Sequence, residues 1–318
     1  MKVLVTGGAG FIGSHVVDEL VRRGNQVVVY DNLSTGFTCH LEPALSTGRV
    51  TLIHDDILNE QALISAMEGS TTVFHLAANA DVRGGQTNTA VDLEQNIIGT
   101  HRVLEAMRRV GATAIVFTSS ATVYGEPSCF PTPEDYAPVQ TSLYGASKLA
   151  AEAIIQAYGE YFGIHSHTFR FVSWIGERYS HGVVYDFVNK LRADPIRLEI
   201  LGDGNQRKSY LHVQDGIRAI FLAVEHLGAL KNVINLGHVD YMSVKEVARI
   251  VCEEMGLRNV PFHFTGGPRG WPGDSPFVHL DVSKLQRLGF QPTISIEEGI
   301  RRTVRYLLRN PWLSSARR

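Results

Sequence analysis

The chain has 318 residues, enough for one or two domains, and its hydrophobic fraction of 44 % is that of an ordinary globular protein. Its 30 basic and 32 acidic residues give a net charge of −2, which argues against a nucleic-acid-binding surface. Three widely separated cysteines indicate neither a disulfide framework nor a metal site, and no apolar run is long enough for a membrane span. Because no signal peptide precedes the first strand, we expect a cytoplasmic protein without membrane or nucleic-acid partners.

Short apolar strands alternate with helical segments through the first half of the chain. Strands are predicted at residues 3–5, 26–30, 50–54, 72–76, 114–118 and 167–171. Helices are predicted between them, at residues 11–23, 61–67, 89–109 and 144–162. Such an alternation, with nearly continuous apolar strands, is typical of a parallel sheet covered by helices on both faces. The sequence therefore predicts an α/β fold with a doubly wound, Rossmann-type parallel sheet.

The pattern changes after about Trp174, where the helices become shorter and Gly, His and Asp become denser. A helix at residues 213–226 and a strand at residues 232–236 look like a return to the sheet, and a last helix is predicted at residues 296–308. We therefore expect a first domain of residues 1–173 and 211–237. A smaller, discontinuous second domain would take residues 174–210 and 238–318.

A glycine-rich turn follows the first strand and opens the first helix. Gly7, Gly10 and Gly13 fit the pattern GxxGxxG, which allows a tight turn, close approach of a pyrophosphate and close helix–sheet packing. Asp31 ends the second strand, 18 residues after Gly13, where its carboxylate can accept hydrogen bonds from ribose hydroxyls. The same charge would repel a 2′-phosphate, so the sequence favours NAD over NADP.

Asp55, Asp56 and Ile57 follow the third strand. In a doubly wound sheet this tip reaches the adenine of a dinucleotide. The alternative is a pair of loop carboxylates in water.

The candidate catalytic residues form a Tyr-x-x-x-Lys pair and a strand-end serine. Tyr144 and Lys148 are four residues apart on a predicted helix, so they share one face. An ammonium beside the phenol would lower the pKa of Tyr144 and make it a candidate general base. Ser120 ends a predicted sheet strand, at the edge where ligands of open α/β sheets bind, although it could also be a simple turn serine.

Four segments together resemble the extended short-chain dehydrogenase/reductases. They are residues 3–13 (VLVTGGAGFIG), 75–78 (HLAA), 119–125 (SSATVYG) and 144–148 (YGASK). Within that family the chain is most similar to nucleotide-sugar 4-epimerases of the UDP-glucose 4-epimerase type. Residues 181–187 and 201–210 resemble the sugar-nucleotide-binding half of such enzymes. The resemblance implies that the first domain binds NAD and the second binds the nucleotide sugar.

The resemblance also implies a role for individual residues. NAD would be held by Gly7, Gly10, Phe11, Ile12, Gly13, Asp31, Asn32, Ser34, Gly36, Asp56, Ile57, Leu76, Ala77, Ala78, Asn96, Thr118, Tyr144 and Lys148. The UDP-sugar would be bound by Ser120, Tyr144, Ser173, Val183, Leu201, Arg207, Tyr210, Arg269 and Asp274. Catalysis would rest on Tyr144, Lys148 and Ser120, and no metal is implied.

Some positions depart from the family pattern. Ser173 stands where these enzymes often have an asparagine, and Arg269 lies upstream of the usual Arg-Pro-Gly-Asp. Both changes affect the expected phosphate contacts. Arg207, with its neighbour Lys208, could alternatively be a solvated charge pair rather than a diphosphate site.

The implied reaction is inversion at C4 of a UDP-sugar through a transient 4-keto sugar, with UDP-glucose and UDP-galactose as the expected substrates. UDP-glucuronate and UDP-N-acetylhexosamines remain open as substrates. A 4,6-dehydratase or a decarboxylase would need an acid or base beside Ser120, where the chain has Ala121-Thr122-Val123, with Glu126 beyond. A non-catalytic NAD-binding regulator is disfavoured because the catalytic residues are intact.

Two further expectations concern assembly and sugar size. The resemblance implies a homodimer built on the two long helices, whose apolar side chains include Val103, Leu104, Met107, Leu149, Ile154 and Tyr158. Burial within one subunit is the alternative. The resemblance also places Val278 at the sugar pocket, where its small side chain would leave room for a substituent at C2 or C5.

Overall fold

The computed structural model describes residues 1–316 and divides them into two compact units. The first unit contains Met1–Val123, Ser142–Arg170 and Ile220–Ile234. The second contains Tyr124–Thr141, Phe171–Ala219 and the chain from Asn235 onward.

The strands and helices follow the order expected of an α/β protein. The strands are β1 (Lys2–Thr6), β2 (Gln26–Asp31), β3 (Val50–His54), β4 (Thr72–His75), β5 (Ala114–Ser120), β6 (His165–Phe171), β7 (Ser173–Ile175), β8 (Leu198–Ile200), β9 (Arg207–Lys208), β10 (Tyr210–His212), β11 (Lys231–Leu236), β12 (Met242–Ser243), β13 (Phe262–Phe264) and β14 (Phe277–Val278). The helices are α1 (Phe11–Arg22), α2 (Glu42–Leu45), α3 (Glu60–Met67), α4 (Ala90–Asp92), α5 (Gly99–Val110), α6 (Leu143–Phe162), α7 (Val183–Ala193), α8 (Val213–His226), α9 (Val244–Glu254), α10 (Ser283–Gln286), α11 (Ile296–Arg309) and α12 (Leu313–Ala316). A π-helical turn, Leu93–Ile98, joins α4 to α5.

A seven-stranded sheet has the order β11-β6-β5-β4-β1-β2-β3, which confirms the predicted doubly wound Rossmann-type fold. β1 pairs in parallel with both β2 and β4, β2 pairs with β3, and β4 pairs with β5. The order reverses between β1 and β4, and ligands of open α/β sheets bind outside the carboxyl ends of the strands at such a point. The residues after β1, β4 and β5 are therefore brought to one edge.

The core of the first unit lies between this sheet and the helices α3, α5 and α6. Fully buried side chains from these elements pack together, and they include Leu4, Leu63, Met67, Val73, Val103, Leu104, Met107, Ile115, Phe117 and Ile155. Val103, Leu104 and Met107 were expected at a subunit interface, and that expectation is wrong because they are buried in the core of their own subunit. Ile154 and Tyr158 are partly buried against the same core.

The helix α6 has clear signals at both ends. The Ser142 side chain accepts a hydrogen bond from the Gly145 amide at 3.0 Å, which caps the first turn. Gly163 ends the helix with φ = 69°, the left-handed conformation that glycine adopts without strain. The Ser142 cap fixes the start of the helix next to Tyr144, and Gly163 fixes its end.

The second unit contains short strand pairings and a cluster of three helices. β7 pairs with β10, β8 with β13, and β9 with both β12 and β14. The helices α7, α9 and α11 pack against one another.

Within residues 1–316, no helix is long and apolar enough to cross a bilayer. In the same residues, no group of three or more His, Cys, Asp or Glu side chains is arranged to hold a metal ion.

Candidate active site

The glycine turn brings backbone amides to the carboxyl end of β1. Gly7 has φ = 71°, and a Cβ there would lie 2.6 Å from the Ala77 nitrogen, so the close approach of β1 and β4 requires glycine. Gly10 is different, because its φ of −73° suits any residue and an added Cβ would meet only the Gly7 oxygen, at 3.3 Å. Nothing in the chain itself demands glycine at position 10. A ligand that lies against the turn would demand it.

The first turn of α1 suits an anionic ligand. Gly10 is its N-cap, no side chain caps the helix, and no acidic residue occupies the first turn. Amide groups at a helix N-terminus bind phosphate, and the helix dipole adds to the attraction. Phe11, Ile12 and Gly13 form this turn. The residues present therefore fit the diphosphate of NAD.

Asp31 connects the glycine turn to the end of β2. One of its carboxylate oxygens accepts a hydrogen bond from the Ala9 amide, and the other from the Leu33 amide, both at 2.8 Å. Burial raises the pKa of the Asp31 carboxyl, and the two amides act against that rise. Each oxygen keeps a second lone pair that could accept from a ribose hydroxyl, and that contact stays a prediction.

The loops after β2 and β3 are held together by Asp56. Its carboxylate accepts hydrogen bonds from the Asn32 side chain at 2.8 Å and from the Leu58 amide at 2.9 Å. The Asn32 side chain in turn accepts one from the Ser34 amide at 3.0 Å. Ile57 is buried and lies against α5 at Gly99. Asn32, Ser34 and Asp56 are therefore assembled at one edge, and their contacts with adenosine stay predictions.

Gly36 supports the glycine turn from outside. A Cβ at Gly36 would lie 2.8 Å from the Ala9 Cβ, and the Phe37 amide donates to the Ala9 oxygen at 3.0 Å. The structure thus places Gly36 against Ala9 of the turn, and its contact with NAD stays a prediction.

A buried histidine, which the sequence did not single out, anchors the segment Leu76–Ala78. The Thr100 hydroxyl donates to the backbone carbonyl oxygen of Asn96 at 2.6 Å. Because its hydrogen is used there, the same hydroxyl accepts from His75 Nε2 at 3.0 Å. His75 Nδ1 then accepts from the Thr6 hydroxyl at 2.7 Å, and Thr6 accepts from the Ala77 amide at 3.3 Å. Burial lowers the pKa of His75 to about 3, so the ring is neutral. The strand ends next to the predicted cofactor residues are thereby fixed.

Ser120, Tyr144 and Lys148 are brought together as predicted, but not with the expected electrostatics. Ser120 lies beside the Tyr144 phenol and lowers its pKa, but burial is the larger effect and raises that pKa to about 12. The expectation that Lys148 lowers this pKa is therefore wrong in this structure, because desolvation is the larger effect. Lys148 is 2 % exposed, and burial lowers its pKa to about 8.

The Lys148 side chain extends from α6 to the end of β5. Its Nζ donates to the Thr118 oxygen at 2.9 Å and lies 5.9 Å from the centroid of the Tyr144 ring. The predicted cofactor residue Thr118 thus contributes its carbonyl to the catalytic group. An ammonium at this distance from the phenol favours the phenolate whenever the ammonium is charged.

A buried ion pair behind these residues fixes α6 against the sheet. Arg170 on β6 donates from Nη2 to the Glu152 carboxylate at 2.7 Å and from Nε at 3.1 Å. The Ser119 hydroxyl donates to the same carboxylate. The sequence analysis did not name Glu152, although its i, i+4 spacing from Lys148 could have indicated that it lies on the same face of the helix.

The second unit gathers several of the predicted nucleotide-sugar residues around β9 and β14. Arg207 lies 4.3 Å from the Phe277 ring centroid and 5.4 Å from that of Tyr241. Lys208, which with Arg207 could alternatively have been a solvated charge pair, forms an ion pair with Asp274. Register pairs Val278 with Lys208 across the two strands.

The other predicted substrate residues have varied surroundings. Tyr210 is buried, and burial together with Asp274 raises the pKa of its phenol. Arg269 pairs with Glu126 at 2.5 Å on the surface, where both are about 40 % exposed. Ser173 is exposed, whereas Val183 and Leu201 are partly buried. Arg269 is therefore occupied by a carboxylate, and its phosphate contact stays a prediction.

Comparison with known proteins gives consistent matches along the chain. The model of the NAD dependent epimerase/dehydratase family matches residues 3–237. A UDP-glucose 4-epimerase of Halalkalibacterium halodurans is 34 % identical over 313 residues, which are 92 % of this chain and 91 % of that protein. A solved UDP-galactose 4-epimerase is 38 % identical with a TM-score of 0.87, covering 98 % of this chain and 100 % of the other. The UDP-glucose 4-epimerase of Thermotoga maritima, solved with UDP-glucose, is 33 % identical with a TM-score of 0.88 over the same shares.

Proposed function

Because this chain belongs to the NAD-dependent epimerase/dehydratase family, we propose that it is a UDP-sugar 4-epimerase that interconverts UDP-glucose and UDP-galactose. One observation carries the choice of reaction within the family. No acid or base directly follows Ser120, where the chain has Ala121 and Thr122. Glu126, six residues after Ser120 in the sequence, has its carboxylate paired with Arg269. A 4-keto sugar at Ser120 would therefore have no acid or base beside that residue to carry out dehydration.

The catalytic residues have distinct tasks in this proposal. Tyr144 Oη takes the proton of the C4 hydroxyl and later returns it. Ser120 hydrogen-bonds the same oxygen and orients it, while the Lys148 ammonium favours the phenolate. When bound, NAD supplies the acceptor and donor of the C4 hydride. Residues Gly7–Gly13 would hold its diphosphate, and Asp31 its adenosine ribose.

We extend the proposal to the two domains. The expected NAD-binding domain, residues 1–173 and 211–237, contains the glycine turn, Asp31 and the catalytic residues. The expected nucleotide-sugar domain, residues 174–210 and 238–318, contains Arg207, Tyr210 and Asp274. The ring stacking of Arg207 and the Lys208–Asp274 pair show that charged groups there are held in place by neighbours within the second unit.

We also propose a homodimer formed through exposed apolar side chains of the first unit. Leu93 and Ile98 on the π-helical turn are 50 % and 38 % exposed, and Tyr161 and Phe162 at the end of α6 are 80 % and 50 % exposed. A two-fold dimer is the commonest closed assembly. Light scattering at micromolar concentration should give twice the chain mass, and Tyr161→Glu should reduce it. Only monomer in the unaltered protein would contradict the proposal.

A cytoplasmic location remains the expectation from the sequence.

The reaction can be read directly from the products. The purified protein would be incubated separately with UDP-glucose, UDP-galactose, UDP-glucuronate and UDP-N-acetylglucosamine, and the C4 configuration followed by proton NMR. We expect reversible inversion of UDP-glucose and UDP-galactose, with no net NADH formed. A 4-keto-6-deoxy sugar from a UDP-hexose, or a pentose from UDP-glucuronate, as the main product would overturn the proposal.

A further inference from the structure

Asp92 is a buried carboxylate that the proposed chemistry does not use. It ends α4, just before the π-helical turn, and is 1 % exposed. Its Oδ1 accepts hydrogen bonds from the Asn79 side chain at 2.9 Å and from the Asn96 side chain at 3.1 Å. Its Oδ2 is buried and accepts from no residue between 1 and 316. Burial raises the pKa of the Asp92 carboxyl, while the Asn79 side chain and Lys148 act against that rise. Burying a carboxylate with a free oxygen is costly, so its presence here calls for an explanation.

The hydrogen bonds of Asp92 lead to the catalytic helix. Asn96 accepts from the Asn79 amide at 2.9 Å and donates from Nδ2 to the Ser147 hydroxyl at 2.8 Å. Ser147 then donates to the Tyr144 carbonyl oxygen at 2.8 Å. Every donor of the Asn96 amide and of Ser147 is thereby used. A continuous chain of bonds connects Asp92 to the backbone of the residue that carries the phenol.

The π-helical turn makes this geometry available. Asp92 and Asn96 are four residues apart, and the Asn96 side chain bonds back to Asp92 while its oxygen faces the Asn79 amide. Such widened turns inside helices recur at functional sites. The loop after β4 closes over the same carboxylate, because a Cβ at Gly85 would lie 2.9 Å from Asp92 Oδ2.

Charge connects Asp92 to both catalytic groups. Asp92 raises the pKa of Lys148 and also that of Tyr144. Glu152 is the other carboxylate that raises the pKa of Lys148, and its charge is shared with Arg170. Ser120 lowers the pKa of Tyr144 and carries no charge, and His75 near Lys148 is neutral. Asp81 acts on Asp92 itself, whose pKa it raises. Of these groups, Asp92 alone is a carboxylate that acts on the phenol and the ammonium together.

Resting on the proposed epimerase function, we propose that Asp92 is a positioning residue whose ionised carboxylate keeps the Lys148 ammonium charged and, through Asn96 and Ser147, fixes the start of α6. If the role of Asp92 were purely structural, its hydrogen bonds alone would matter and its charge would not. Removing the charge would then leave the pKa of Lys148 unchanged, whereas the proposed role requires that pKa to fall.

The test compares Asp92→Asn with a matched control, Asp81→Asn. The asparagine keeps an oxygen that can accept from Asn79 and Asn96, and removes the charge. Asp81 is an exposed carboxylate in the loop after β4, and it is not among the causes of the pKa shifts of Tyr144 and Lys148. Lysine labelled with ¹³C at Cε would report the Lys148 titration by NMR, without substrate and therefore independently of turnover.

In the unaltered protein the pKa of Lys148 should be about 8. Asp92→Asn should lower it by about one unit, a tenfold change in the dissociation constant, because a neighbouring negative charge has been removed. The alkaline limb of the kcat profile, where Lys148 loses its proton, should shift to lower pH in the same variant, with KM changed less than about twofold. Asp81→Asn should leave the titration and the profile in place.

An unshifted Lys148 titration in Asp92→Asn would overturn the inference. If that variant does not fold, ¹³C-labelled aspartate in the unaltered protein decides, because a protonated Asp92 carboxyl at pH 8 would overturn it as well. A protein without epimerase activity in which Lys148 still shifts would refute the proposed function and leave the charge coupling intact. The two failures are thus distinguishable.

Discussion

The buried Glu152–Arg170 pair gives a stability prediction that can be worked from the structure. Glu152 is 1 % exposed and Arg170 is 7 % exposed, so water cannot solvate either charge once its partner is gone. In Arg170→Met, the Glu152 carboxylate would keep its hydrogen bond from the Ser119 hydroxyl but lose those from the guanidinium. Removing one partner of a buried ion pair typically costs about 3–5 kcal/mol. We expect a loss of this size in the free energy of unfolding.

The double variant Glu152→Leu/Arg170→Met separates the lost attraction from the buried charge. Replacing both charges by apolar side chains is often close to neutral. The Ser119 hydroxyl would still lose its acceptor, at a cost of about 1–3 kcal/mol, and adding Ser119→Ala should remove that cost. We therefore expect the double variant to recover most of the loss, and the triple variant to recover more.

The assay is urea or thermal unfolding followed by circular dichroism. A change of 1 kcal/mol shifts Tm by about 2 °C in a chain of this size, so Arg170→Met should lower Tm by about 6–10 °C. The matched control is Arg109→Met, which breaks the partly exposed pair of Arg109 with Glu60 and should cost about 1 kcal/mol or less. Equal losses in Arg170→Met and Arg109→Met, or no recovery in the double variant, would refute the reasoning.

Three further variants test the proposed site. Tyr144→Phe removes the proposed proton acceptor and keeps the ring, so kcat should fall by about 10²–10⁴ with the fold unchanged by circular dichroism; a nearly active variant would sink the mechanism. Asp31→Ala should weaken NAD binding, measured by calorimetry, and relax discrimination against NADP; unaltered protein that binds both equally would show that Asp31 does not select. Val278→Tyr should reduce activity on UDP-N-acetylglucosamine more than on UDP-glucose, whereas equal losses would show that Val278 does not gate the sugar.

The sequence predicted the fold of the first unit well because its elements are long and regular. The strands from β1 to β5 are apolar runs, and α6 repeats its apolar positions over five turns. The second unit was harder, because β9 and β14 are two residues each and pair across about 70 residues of chain. No periodicity exists in two residues, so such pairings depend on tertiary contacts that the local sequence does not contain.

The candidate site divides in the same way. Ser120, Tyr144 and Lys148 were predicted because strand ends and i, i+4 spacing are local features. The burial of Asp92 was not visible, since acidic residues on a helix are usually solvated. Its burial depends on Asn79, Asn96 and the loop that covers it. The predicted direction of the Tyr144 pKa shift was wrong for the same reason, because desolvation depends on the folded protein and not on the local sequence.

The opposite effects of burial on the two catalytic groups explain why Asp92 matters for the ammonium. Burial raises the pKa of Tyr144 to about 12 and lowers that of Lys148 to about 8, so Lys148 is the first of the two to lose its proton as pH rises. A neutral amine cannot attract a phenolate. Asp92 raises both pKa values, which disfavours the phenolate directly but keeps the adjacent ammonium charged to higher pH. The carboxylate therefore sets the upper end of the pH range in which Lys148 can assist the base, and its removal should narrow that range from the alkaline side.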